Sequence, residues 1–89
     1  MKGYVMPDKS VKIYSLSTCS HCRSAKRLMQ NYNVEFDFVD VDLLTGDERS
    51  AMIKEVKEYN SRCSFPTIVV DQKVVVGYKE KEIKDALGV

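Results

Sequence analysis

Val11-Lys12-Ile13-Tyr14-Ser15-Leu16, followed through Ser17-Thr18 by Cys19-Ser20-His21-Cys22, joins a β-like run to a helical one. The first six residues mix β-branched side chains and a tyrosine with polar ones over a typical strand length. Beyond them Cys22, Ala25, Leu28, Met29 and Tyr32 recur at three- and four-residue spacing, which predicts a helix over Arg23 to Tyr32 with Arg23, Lys26, Arg27 and Gln30 pointing away. Cys22 falls on the buried side of that helix and Cys19 at its exposed end. Two thiols at a strand–helix junction can form and break a disulfide without refolding the chain, so the motif points to thiol–disulfide exchange. A helix N-terminus carries about half a unit of positive charge and unpaired N–H groups, both of which favour a thiolate. Cys19 is the expected nucleophile.

Working outward, Val34 to Asp42 mostly alternates apolar and acidic residues and is expected to be a half-buried strand. Thr45 with Glu48 reads as a capping box opening a second helix whose apolar face is Met52, Ile53, Val56, Tyr59 and Asn60. Phe65 to Val70 and Lys73 to Val76 form two short β-rich runs around Asp71-Gln72, a hairpin spacing without glycine. Ile83, Ala86 and Leu87 mark a final helix. The order β-α-β-α-β-β-α predicts an α/β three-layer sandwich, a four-stranded mixed sheet with three helices.

The 89 residues suit one domain, expected over 11–89 after a loosely held N-terminal extension, 1–10. A formal net charge of +1 with intermixed signs gives no basic stripe for nucleic acid. The extension has no apolar run to act as a signal peptide, and no later stretch approaches the ~18 apolar residues of a membrane span. Three cysteines, an odd number, argue against a structural disulfide framework. A cytoplasmic monomer is the expectation, with no nucleic acid or membrane as partner.

With the dithiol at the first strand–helix junction and proline opening the third strand in Ser64-Phe65-Pro66-Thr67, the chain resembles the thioredoxin-fold superfamily, most closely the glutaredoxins. The motifs are Ile13-Tyr14, Thr18-Cys19-Ser20-His21-Cys22, Phe65-Pro66-Thr67-Ile68-Val69-Val70-Asp71 and Val76-Gly77-Tyr78, in family order over residues 11 to 88. The resemblance implies that Cys19 attacks a substrate disulfide and Cys22 resolves the mixed disulfide. It implies that Pro66 is cis, so that the backbone of Phe65 pairs with substrate, and it adds Gly77 and Tyr78 to the substrate-binding candidates. No organic cofactor or metal is required. Glutathione is a candidate co-substrate, and the electron donor is either glutathione or a reductase.

Two departures bear on the donor. Glutathione-binding members usually carry Lys or Arg where this chain has Leu16, and a Gly-Gly pair followed by an acidic residue where it has Val76-Gly77-Tyr78-Lys79. Gly77-Tyr78-Lys79 is more similar to the small redoxins that take electrons from thioredoxin reductase. His21, where the family commonly has an aromatic residue, is expected to tune the thiolate. Stabilising the reduced form places the expected potential above about −270 mV. Cys63 is expected to fill space rather than act as a third redox cysteine, since free cysteines are among the most buried residues. Asp37, Asp40 and Asp42 are expected to be solvated, and Lys79, Lys81 and Lys84 to form a solvated helix surface. The competing functions are a zinc site of Cys19, Cys22, Cys63 and His21, a shared iron–sulfur cluster, and an interaction protein with idle chemistry.

Overall fold

The structure is a computed structural model that describes residues 10–89. The expected extension thus lies outside the described residues except for Ser10. The Ser10 N–H donates to Asp71 Oδ1 and its carbonyl accepts from the Asp71 N–H, both at 2.8 Å, so it is held to the domain.

The elements are β1 (Val11–Ser15), α1 (Ser20–Asn31), β2 (Asp37–Asp40), a 3-10 turn (Val41–Leu43), α2 (Gly46–Tyr59), β3 (Thr67–Val70), β4 (Lys73–Val76) and α3 (Glu80–Leu87). The four strands form one mixed sheet in the order β2-β1-β3-β4. β1 runs parallel to β2 and antiparallel to β3, and β4 is antiparallel to β3. This is the expected thioredoxin fold.

Strand periodicity divides the core into two faces. Ile13, Ile68, Val70 and Val75 join Ala25, Leu28 and Met29 of α1 and Ile83, Ala86 and Leu87 of α3 in the larger cluster. Tyr14 and Val69, one residue out of phase, pack on the other face with Val56 of α2. All four residues of β3 are buried, as a strand covered on both faces must be. The Tyr14 hydroxyl donates to Glu55, which also pairs with Lys12 at 3.4 Å, so the phenol is satisfied beneath α2. Burial, followed by the Glu55 bond, raises the Tyr14 hydroxyl above its ordinary titration range.

Several boundaries differ from the sequence reading. The strand expected from Val34 to Asp42 is limited to Asp37–Asp40. At its start, Asn33 takes a left-handed conformation (φ 57°), and the N–H groups of Asn33 and Val34 bond back to Gln30 and Met29 of α1. This helix-closing motif drives Val34 into the core before the strand begins. Thr45 is the N-cap of α2, but its side chain makes no capping bond, so the capping box does not form. Asn60 is a C-cap rather than part of the α2 face: its Nδ2 donates to Ser64 Oγ (2.9 Å) and Thr67 Oγ1 (3.2 Å), and its Oδ1 accepts from Arg62 N–H (3.2 Å). One amide thereby holds the loop into β3. Asp71 supplies the positive φ (53°) that the glycine-free hairpin turn needs.

Candidate active site

α1 begins three residues earlier than expected, and that places the dithiol. Cys19 is the N-cap, extended at φ −88°, ψ 118°, and its Sγ accepts the Cys22 N–H at 3.2 Å. A thiol thus occupies the position where a serine or aspartate oxygen usually satisfies an orphan helix donor. Cys19 is half-exposed, whereas Cys22 is fully buried. Burial pushes the Cys22 thiol up to about 12, and a hydrogen bond with the Cys19 side chain acts in the same direction. A backbone bond from Leu16 and the charge of Lys26 oppose the shift. One sulfur therefore faces solvent on a ready-made donor while the other is a protonated thiol beneath it. His21 stands exposed in the first helical turn.

The loop before Cys19 is fixed by acids that the sequence reading left to solvent. Asp42 accepts from the Ser17 N–H (2.8 Å) and the Ser17 hydroxyl (2.5 Å). Asp40 accepts from the Ser15 hydroxyl (2.5 Å) and from Lys26 Nζ (3.1 Å). Both carboxylates are tethers, because β2 ends beside the C-terminal end of β1 and the chain then turns toward Ser17. Sequence alternation missed them; two serines in the approach to Cys19, each needing a hydrogen-bond partner, were the available signal.

The two donations by Ser17 hold the Asp42 carboxyl below the usual carboxylate range. With the folded-state value depressed, the tether's contribution to stability is complete above about pH 4 and is lost as pH falls through the lower folded value. Asp42→Asn should therefore melt at a lower temperature than the parent at pH 7, with the gap narrowing progressively as pH falls below about 4. Thermal melts at pH 7 and along the acid limb test this, and a gap that does not narrow below about pH 4 would exclude the charged tether.

Phe65-Pro66 is a cis peptide immediately before β3. Gly77 follows β4, takes φ 87°, and donates its N–H to the Pro66 carbonyl at 2.8 Å. A Cβ at Gly77 would meet open space, so its backbone angle rather than crowding requires glycine. Tyr78 packs against the larger core cluster and its hydroxyl donates to Glu80 at 3.3 Å. Phe65 packs against the Tyr14 cluster, as does Cys63, which is only half-buried rather than enclosed. Among the described residues, no three His, Cys, Asp or Glu side chains gather to hold a metal ion, so the proposed zinc set is not assembled.

Strand register links these parts. Ser15 pairs with Asp40, Tyr14 with Thr67, and Thr67 with Val76. One step further, Pro66 falls beside Ser15 and Gly77 beside Pro66, so Asp40, Ser15, Pro66 and Gly77 form a row across the end of the sheet from which the dithiol loop departs. A half-exposed thiol on a helix start, a buried partner one turn in and a cis-proline at the same sheet end define a small thioredoxin-fold dithiol oxidoreductase.

Comparison with known proteins narrows the class. The glutaredoxin family model matches residues 11–75. Glutaredoxin 3 of Escherichia coli K12 is 30% identical over 79 residues, 89% of each chain. The crystal structure of Methanosarcina acetivorans methanoredoxin superposes with a TM-score of 0.85 at 44% identity, covering 90% of this chain and 85% of that one. Archaeoglobus fulgidus glutaredoxin gives 0.84 at 32% identity, covering 90% and 87%. The chain belongs to the glutaredoxin family, and it is a thiol–disulfide oxidoreductase.

Proposed function

We propose that Cys19 is the nucleophile and Cys22 the resolving thiol. The Cys19 thiolate attacks one sulfur of a substrate disulfide, forming a mixed disulfide and expelling the other half as a thiolate that takes up a proton. Cys22, losing its proton, then attacks the Cys19 sulfur, forms the Cys19–Cys22 disulfide and releases the second substrate thiolate, which is protonated in turn. Two electrons pass from the dithiol to the substrate. The observation that carries this assignment is the N–H of buried Cys22 donated to half-exposed Cys19 Sγ at 3.2 Å.

His21 tunes the Cys19 thiolate from the intervening turn, a role its exposure and covalent proximity support. Phe65, Pro66, Gly77 and Tyr78 receive the substrate backbone, supported by the bond between Gly77 and Pro66 and by their place at the dithiol end of the sheet. The substrates are protein or small-molecule disulfides. The protein works as a monomer in the cytoplasm, where its three unpaired cysteines stay reduced. Among the described residues no helix is long and apolar enough to cross a membrane.

The principal electron donor is a protein reductase rather than glutathione. Half-buried Leu16 offers no charge to a glutathione carboxylate, and Val76-Gly77-Tyr78-Lys79 lacks the glycine pair and acid of glutathione-binding members. In NADPH-coupled disulfide reduction, turnover is expected with thioredoxin reductase and at least about tenfold less with glutathione plus glutathione reductase, the loss from about 1.4 kcal/mol of missing contacts. Equal or greater turnover with glutathione would overturn the donor assignment while leaving the dithiol chemistry intact.

A further inference from the structure

Resolution by Cys22, on the reading proposed above, asks a fully buried thiol to become a thiolate. Charge must then develop at a sulfur with no access to water. Lys26 lies one helical turn beyond Cys22, at the i+4 spacing that brings side chains together on a helix. It does not reach into solvent as the sequence pattern predicts. Its Nζ is 3.1 Å from Asp40 Oδ1 and 4.0 Å from the centroid of the Phe38 ring, and its side chain is 19% exposed. Asp40 is itself fixed by the Ser15 hydroxyl, so the ammonium is held at two points of β2, a carboxylate and a ring face, the first of them anchored in turn to β1.

We propose that Lys26, anchored by Asp40, Ser15 and Phe38, is the residue that supports the second half of the reaction, stabilising negative charge on Cys22 as it attacks the Cys19 sulfur. The step is balanced: the Cys22–Cys19 bond forms, the bond between Cys19 and the substrate sulfur breaks, and the proton lost by Cys22 is matched by one gained by the leaving thiolate. Lys26 gives up no proton and touches neither sulfur. Its positive charge favours the thiolate of Cys22, the direction in which it moves that thiol. Cys19, with its backbone donor and its exposed position, does not depend on it.

The two half-reactions can be timed separately. In a Cys22→Ser background, formation of the mixed disulfide with a small aromatic disulfide reports attack by Cys19 alone. In the otherwise intact protein, release of the second aromatic thiol reports resolution. Lys26→Met is expected to leave the first rate within about 1.5-fold and slow the second about threefold, because a rise of about one pKa unit cuts the thiolate fraction about tenfold while leaving a more nucleophilic thiolate. Lys26→Arg, which keeps the charge, is expected to restore the second rate to within about 1.5-fold of the parent. An unchanged second rate in Lys26→Met, equal slowing of both steps, or an Arg variant as slow as the Met variant would overturn the proposal. If Cys22→Ser accumulates no mixed disulfide, the assigned roles of Cys19 and Cys22 fail and the role of Lys26 falls with them; if the adduct accumulates and Lys26→Met resolves at the parent rate, the role of Lys26 fails alone.

Discussion

Replacing Cys19 with serine is expected to reduce disulfide turnover to the buffer background, whichever donor is supplied. A serine hydroxyl is not ionised near neutrality and cannot enter a disulfide, and Cys22, the thiol that remains at this helix start, is fully buried. Cys22→Ser should instead stop the cycle half-way. Its product is a mixed disulfide on Cys19, visible as the added mass of one substrate half, and steady turnover of protein disulfides falls at least about a hundredfold because a well-placed intramolecular thiol has been replaced by dilute thiols in solution. Intact-mass spectrometry after one equivalent of substrate distinguishes the variants: no adduct on Cys19→Ser, a stable adduct on Cys22→Ser. An adduct on Cys22 in the Cys19→Ser protein would reverse the assigned roles.

Ile68→Ala is expected to be the most damaging single change to the fold. Ile68 sits in β3, paired with Ile13 on β1, and both are 0% exposed. Truncating such a side chain costs about 2–5 kcal/mol, a large part of the 5–15 kcal/mol available to a domain. For a chain of this size the melting temperature should fall by at least about 8 °C. Val74→Ala, in β4 and 38% exposed, is the matched control and should remain within about 0.5 kcal/mol of the parent. Thermal melts followed by circular dichroism compare them directly. Similar losses for both variants would contradict the burial asymmetry between β3 and β4.

Legibility in the sequence followed the strength of the periodic signal. β1, α1, the hairpin and α3 are readable because their apolar spacing is governed by burial, and burial is what shapes them. β2 was overextended because Val34 and Val41 are apolar for reasons unrelated to sheet pairing: the first is drawn into the close of α1 and the second into a 3-10 turn. Asn60 looked like an interrupted helix face, whereas its value lies in having both donors and an acceptor at a helix end. At the site, Cys19 and Cys22 were plain from spacing, and Cys22 lies on the buried side that the helical spacing gives it. What stayed hidden were Ser17, Asp40, Asp42 and Lys26, since charged and hydroxyl residues in a local window look the same whether they meet water or one another. Their partners lie 14 to 25 positions away in the chain, a separation no periodicity records.

The row formed by Asp40, Ser15, Pro66 and Gly77 makes the site a coincidence detector for correct folding. Each of the four strands ends at, or next to, one member, and no strand supplies two. A slip of one residue in any pairing would displace a member and turn the strand's side chains to the opposite face. Chains with three strands in register and one astray would carry the same cysteines but not the same neighbours. Completion of the sheet is therefore what sets the cis-proline and the glycine turn beside the strand that leads to the dithiol.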